Sequence, residues 1–301
     1  MFLERIVCII QCDPGQAVMG KALGKSGMFG GFFVYSEILV KFVRLHLLAF
    51  LENGQRGLFF KLIVGMKNLV VLSGAGMSAE SGISTFRDAG GLWDRYPVEQ
   101  VATPEGYARN PELVVRFYNE RRKQLLEVVP NRGHELLAEL EKDFRVTIVT
   151  QNIDNLHERA GSSHIIHLHG ELTKVCSSRD PNNPHYVKEL RPEEFEVKMG
   201  DLAGDGSQLR PFIVWFGESV PEIETAINWV EKADIFVIIG TSMNVYPAAG
   251  LLNYVPRNAE VYLIDPKPVD VHSFRPIHVI QKGASEGVAD LMKRLLTTNQ
   301  A

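Results

Sequence analysis

Val70–Trp93 reads VVLSGAGMSAESGISTFRDAGGLW. The run Asn68–Ser73 is mainly apolar, carries two valines and stops at a glycine, the pattern of a short buried strand. Gly74, Gly76 and Ala79 then match G-x-G-x-x-A, the permissive form of the dinucleotide-binding turn. Gly74 suits a tight turn, and Gly76 lets backbone N–H groups approach a pyrophosphate at a helix N-terminus. A plain strand–helix turn needing glycine reads the same way. A dehydrogenase would place an acid at the end of a second strand about 20 residues later. Here that region is AGGLWDRYPVEQ, which is not strand-like, so phosphate binding is retained and hydride transfer is weakened.

Working outward, Asn110 and Pro111 predict a helix start, with ELVVRFYNERRKQLLEVV running to Pro130. Asn131 caps a second helix, RGHELLAELEKD. FRVTIVTQNID is a β-branched strand ending in a polar turn, and SHIIHLHGEL a strand with polar punctuation. Residues 177–211 are rich in Pro, Asn, Asp and Gly and read as an excursion, after which the core resumes at RPFIVWFGE. PEIETAINWVEKA is a helix, DIFVIIGTS and AEVYLID are buried strands, and GVADLMKRLL is a closing helix. Alternating strands and helices predict an α/β fold with a doubly wound parallel sheet.

The chain has 301 residues, 45% hydrophobic and 23% charged, with a net charge of −4. That balance gives no electrostatic footprint for nucleic acid or an acidic membrane. Cys8, Cys12 and Cys176 are too few and too scattered for a disulfide framework, which predicts a reducing, cytoplasmic setting. Residues 1–65 differ from the rest. Glu37, Lys41, Arg44 and His46 interrupt their apolar run, against a membrane span. They are taken as an N-terminal extension, either an amphipathic segment or an over-extended start. Met66 stands directly before KNLVVLSGAG, where a compact domain can begin.

Several strand ends carry chemistry. Gln151, Asn152 and Asp154 follow a buried strand, where open α/β sheets bind ligands. They can bind ribose hydroxyls or a carboxamide, and equally can form an Asx turn capping the next helix. His167 and His169 are two apart, on one face of an extended chain; His169 is next to Gly170 at a strand end and is the better candidate base. Gly240–Ser242 end another strand and by themselves read first as a simple strand-end turn, and the aromatic pair in Val214–Glu218 reads more as core packing than as a ligand groove.

GAGMSAESGISTFRDAGGLW, TQNIDNLHERAG, HLHGEL, VWFGE and GTS, in this order, resemble the sirtuins, NAD-dependent protein deacylases. The likeness spans nearly all of residues 66–301. It implies a Rossmann-like sheet with a smaller inserted domain, formed by insertions at about 89–142 and 173–211. The implied NAD site comprises Gly74, Ala75, Gly76, Phe86, Arg87, Asp88, Trp93, Gln151, Asn152, Asp154, Gly240, Thr241, Ser242, Asp265 and Ala284. Asp265 departs from the family pattern, which has asparagine at that strand end, so an acceptor stands where an amide could also donate. His169 is the implied general base. Val214, Phe216, Gly217 and Glu218 are implied to receive the substrate peptide as an added strand.

In the implied reaction the acyl-lysine carbonyl oxygen attacks the ribose carbon as nicotinamide leaves. His169 then activates a ribose hydroxyl, and water completes the release of lysine and O-acyl-ADP-ribose. The chain is most similar to class III, the bacterial CobB-like group, in which a Tyr-x-x-Arg pair reads an acidic acyl group. Tyr118 and Arg121 supply it at helical i,i+3 spacing, and Ala102 is the small residue that widens the pocket. Succinyl, malonyl and acetyl removal are therefore expected, from acyl-lysine proteins, by a monomer needing neither nucleic acid nor membrane. The alternatives are mono-ADP-ribosyl transfer and a non-catalytic NAD or ADP-ribose sensor. The family's structural zinc sits on two Cys-x-x-Cys pairs. Cys176 is alone in its region, so a zinc-less remnant of that module is expected, packed through Leu190, Phe195, Val197 and Leu209.

Overall fold

The computed structural model describes residues 65–83, 96–271, 273 and 275–298. Residues 1–64, and Phe86, Arg87, Asp88 and Trp93 among the expected cofactor ligands, lie outside the described residues. The main sheet is formed by β1 (Asn68–Ser73), β2 (Arg145–Thr150), β3 (Ile165–His167), β7 (Ile235–Ile239), β8 (Glu260–Ile264) and β9 (His278–Ile280). Its order is β3-β2-β1-β7-β8-β9, with every pair parallel.

Side-chain alternation gives this sheet two buried faces. Leu69, Val71, Ile148, Val237 and Ile264 point to one face. There they meet helix α5 (Arg132–Glu139), through Leu136 and Leu137, and α8 (Ala284–Thr298), through Val288, Leu291 and Leu295. Val70, Leu72, Val149, Phe236, Ile238 and Leu263 point to the other, against Ala226 and Val230 of α7 (Ile223–Val230) and the segment around Leu251 and Leu252. Fully burying a side chain such as Leu72 or Ile238 contributes about 2 kcal/mol. A sheet covered on both sides is the doubly wound architecture the alternation predicts.

The helical insertion consists of α2 (Val98–Val101), α3 (Pro104–Arg109) and α4 (Pro111–Glu127). Asn110 accepts from the Leu113 N–H and Pro111 is the first helical residue, as expected; the helix stops at Glu127, short of Pro130. Asn131 caps α5 by accepting from Gly133 and His134, while the His134 ring accepts from the Asn131 N–H. The expected insertion limit at 142 needs correction. Leu136, Leu137 and Leu140 are buried in the main core, so the insertion ends before α5.

The second insertion is also larger than 173–211. β4 (Gly170–Ser177), β5 (Lys188–Glu189) and β6 (Leu209–Ile213) form a separate antiparallel sheet in the order β5-β4-β6. Two corrections follow. IIHLHGEL is divided between the two sheets, with Leu168 and His169 as the corner. RPFIV pairs with β4, so the main core resumes only at α7 and β7. An apolar strand does not record which sheet it joins; its partner does. Among the described residues no helix is long and apolar enough to cross a membrane.

Candidate active site

β1 and β7 are sequence-distant neighbours at the centre of the sheet, the topological switch point at which doubly wound folds bind ligands. The turns after β1, β2, β7 and β8 carry Gly74–Gly76, Gln151–Asp154, Gly240–Ser242 and Asp265 to this one edge. The first two glycine turns interlock. Gly74 N–H donates to Ile239 O at 2.9 Å and Gly76 N–H to Gly240 O at 2.8 Å. A Cβ on Gly76 would lie 2.6 Å from Gly240 Cα, and Gly240 itself has φ +60°. The glycine spacing therefore serves backbone packing between two turns. A short helix, α1 (Ala75–Ala79), begins at Gly74.

Gln151 Nε2 donates to Thr241 Oγ1 at 3.0 Å, joining the turns on either side of the switch. Asn152 is buried, and its amide nitrogen donates inward to Gly74 O and Ser78 Oγ, both at 3.0 Å. Asp154 accepts from Leu156 N–H at 3.1 Å, the Asx turn weighed above, and from Ser78 Oγ at 2.9 Å. Burial raises its carboxyl pKa, while these two hydrogen bonds favour the carboxylate. Ser78 is a hub that sequence reading missed; its position inside GAGMSAES is the signal that could have found it.

His169 and His167 hold adjacent carbonyls. His169 Nδ1 lies 3.0 Å from Gln151 O. A carbonyl only accepts, so Nδ1 carries the hydrogen and Nε2 keeps its lone pair. Burial lowers the His169 pKa, the carbonyl hydrogen bond opposing it, which keeps the ring neutral. This is the tautomer and charge of a general base. Ala75, Ser78, Ile83, Arg121, Gln124, Leu125, Asn152, Ile153, Asp154 and Leu172 line a chamber beside the same turns.

Tyr118 and Arg121 meet different neighbours. Arg121 lines that chamber, with its guanidinium 5.7 Å from the Phe117 ring centre. Tyr118 is buried, edge-on to Phe117, and its phenol oxygen accepts from Trp215 Nε1 at 3.0 Å. Burial pushes its pKa far up, so the hydroxyl stays protonated. Ala102 is buried in the same cluster as Tyr118 and Trp215. The neighbouring Arg122, unremarked in the sequence, is buried and donates to Leu172 O and Asn119 Oδ1.

Val214–Glu218 leave β6 as a loop that turns at Phe216 and Gly217. The N–H groups of Val214, Trp215 and Phe216 already donate to His169 O, Glu218 Oε2 and Ala102 O. Glu218 is held by Arg210 through two bonds of 2.7 and 3.0 Å, and Arg210 lies 3.4 Å over the Trp215 ring. Its carboxylate is thus structural. Phe216 is 46% exposed and Gly217 lies beside it at φ +92°. Ser242 is exposed, and Asp265 accepts from Lys267 N–H. The Ala284 methyl lies in the core, which leaves only its backbone for a ligand.

These features define a doubly wound nucleotide-binding protein with a neutral histidine at its switch point. The chain belongs to the Sir2 family, which residues 74–247 match. It is 83% identical over 231 residues to an NAD-dependent protein deacylase of Bacteroides thetaiotaomicron, covering 77% of this chain and 99% of that one. A deacylase of the same name from Helicobacter pylori is 53% identical over 77% of this chain and 98% of its own. Among solved structures, a Sir2 homologue in complex with ADP-ribose superposes with a TM-score of 0.69 at 36% identity, covering 80% of this chain and 96% of that one. A Sir2 homologue–NAD complex gives 0.68 at 37% identity, covering 80% and 94%.

The zinc of this family does not fit the residues present. Cys176 is buried, its thiol points to Pro211 O, and burial pushes its pKa up to about 12. Among the described residues no three His, Cys, Asp or Glu side chains are grouped to hold a metal. Instead Ser177 Oγ donates to Asp205 Oδ2 at 2.7 Å and accepts from the Arg179 and Asp180 N–H groups. Ser207 Oγ donates to Asp205 Oδ1 at 2.7 Å. This cluster ties the end of β4 to the loop before β6.

Proposed function

We infer that the chain is an NAD-dependent protein deacylase acting on acyl-lysine proteins and releasing nicotinamide and O-acyl-ADP-ribose. The observation that carries this is the neutral, Nε2-accepting His169 held against Gln151 O at the switch point, in a chain so similar to curated deacylases. NAD supplies the cleavable nicotinamide–ribose bond and the hydroxyl that takes up the acyl group. The interlocked glycine turns, with Ala75, Thr241, Ser242, Asp265 and the Ala284 backbone, are assigned to the adenosine diphosphate portion. Gln151, Asn152 and Asp154 are assigned to the nicotinamide riboside end, with Phe86, Arg87, Asp88 and Trp93. Asn152 and Asp154 act there by fixing Gly74 O and Ser78. His169 Nε2 takes the proton of the ribose hydroxyl. The chamber excludes water while the acyl carbonyl is aligned.

The substrate peptide lies over Val214–Gly217, contacting Phe216, with Arg210 and Glu218 holding the turn rigid from behind. Arg121 is assigned to an acidic acyl group, giving succinyl and malonyl removal beside acetyl removal. Its place in the lining of the chamber supports this. Tyr118 orients Trp215 from within the buried cluster that also holds Ala102. The test is incubation with NAD and matched acetyl- and succinyl-lysine peptides, following nicotinamide and O-acyl-ADP-ribose by mass spectrometry with His169→Ala as control. Labelled ADP-ribose on protein without O-acyl-ADP-ribose would favour mono-ADP-ribosyl transfer instead.

A further inference from the structure

Two consecutive carbonyls of the turn after β2 are each held by an imidazole. His169 takes Gln151 O; His167 Nδ1 takes Asn152 O at 3.1 Å. The second nitrogens differ. That of His167 lies 2.7 Å from Glu158 Oε1, with its side chain 8% exposed. A carbonyl and a carboxylate both only accept, so both His167 nitrogens carry hydrogens and the ring is a cation. We propose that Glu158, on α6 (Leu156–Ala160), and His167 form a charged clamp on the Asn152 carbonyl. They thereby act as positioning residues for NAD cleavage. The proposal rests on the deacylase reading above.

The geometry says what the clamp does. The Asn152 side chain is tied to Gly74 O and Ser78 on one side, and its N–H donates to Thr150 Oγ1 at 3.0 Å. His167 takes the main-chain carbonyl of the same residue. Gln151 and Asn152 thus have fixed backbones before any ligand arrives, which is what pre-organisation of a cleavage site requires. The groups facing His167 are Glu158 and His157 of α6, Glu171 of β4 and Asp154 of the turn; Lys174 of β4 faces Glu158. Burial works against charge on His167, but Glu158, Glu171 and the Asn152 carbonyl outweigh it and raise the pKa. The cation also favours an ionised Asp154.

The test combines a direct reading of the rings with kinetics. Histidine ¹⁵N NMR of the wild-type protein at neutral pH should show His167 protonated on both nitrogens and His169 on one. In Glu158→Gln, His167 should lose a proton. KM for NAD should rise about tenfold, the loss of one charge-assisted contact, with KM for the acyl peptide unchanged. Since the clamp needs the cation, the alkaline limb of kcat/KM for NAD should move to lower pH in Glu158→Gln. A singly protonated His167 in the wild type overturns the clamp whether or not the variant folds. An unchanged KM and limb in Glu158→Gln overturn its positioning role. A wild-type protein that cleaves no NAD overturns the deacylase reading and that role with it, while the NMR still decides the clamp.

Discussion

Replacing Gly76 by alanine tests the interlocked turns at the centre of the site. Gly76 does not need a left-handed backbone, so the variant carries no φ strain of its own. Its new methyl would lie 2.6 Å from Gly240 Cα, 3.0 Å from Gly240 O and 3.2 Å from Gly240 C. All three obstacles are backbone, and no flexible side-chain end can give way. Carbon atoms in contact settle near 3.5–4.0 Å, so the turns must part by about 1 Å. Overpacking of this kind costs about 1–3 kcal/mol, and a backbone obstacle points to the upper end. At about 3 kcal/mol a domain of this size melts about 6–12 °C lower. The parted turns also stretch the Gln151–Thr241 bond across the switch, so NAD affinity should fall too. Gly250→Ala is the control: its methyl would meet only Tyr246 ring carbons at 3.9 Å, and loss of glycine should leave stability equal or higher by about 0.5–1 kcal/mol. Thermal melts and NAD titration calorimetry on both variants decide the matter. A Gly76→Ala protein that melts with the wild type and binds NAD unchanged would refute the glycine-on-glycine packing.

Arg121→Met should reduce desuccinylation about tenfold to hundredfold, the range for a hydrogen bond to a charged group, and change deacetylation far less; equal loss on matched peptides would remove Arg121 from acyl selection. His169→Gln should lower deacylation about 10²–10⁴-fold. Burial depresses the His169 pKa, so its neutral base form persists as pH falls past 6.5 and is lost only further on the acid side. A pH–rate profile whose His169-dependent acid limb lies above 6.5 contradicts this. Ser177→Ala removes the partner shared by the Asp205 carboxylate and the Arg179 and Asp180 amides, and should show as a lower Tm in thermal melts. A chelator should leave the wild-type Tm unchanged, and a stoichiometric zinc signal by metal analysis would refute the hydrogen-bonded replacement.

Local chemistry made much of this molecule legible in advance. Asn110–Pro111 and Asn131 announce helix starts because a cap acts on amides two or three residues away. The apolar runs at 68–73, 145–150, 235–239 and 260–264 announce strands buried on both faces. The motifs after them fall at one sheet edge because parallel strands present their carboxyl ends together. The glycine turn after β1 is one of them. Residues 1–64, Phe86, Arg87, Asp88 and Trp93 lie outside the described residues, so their part of the reading stays with the sequence.

Spacing alone set Tyr118 and Arg121 on one helix face, but neighbours distant in the chain decide what each meets. Trp215 captures the Tyr118 hydroxyl while Arg121 reaches the chamber. Glu218 looks like a site residue until Arg210, eight residues earlier, is seen to occupy its carboxylate. His167 and His169 differ as sequence only in that His169 stands next to Gly170. Glu158 makes one a cation, while burial against the Gln151 carbonyl keeps the other neutral. The sequence by itself determined the strands, the caps and the order of the motifs, since those follow from contacts a few residues long. Only the tertiary structure decided charge, tautomer and exposure, because each is set by groups that the fold brings together from separate turns.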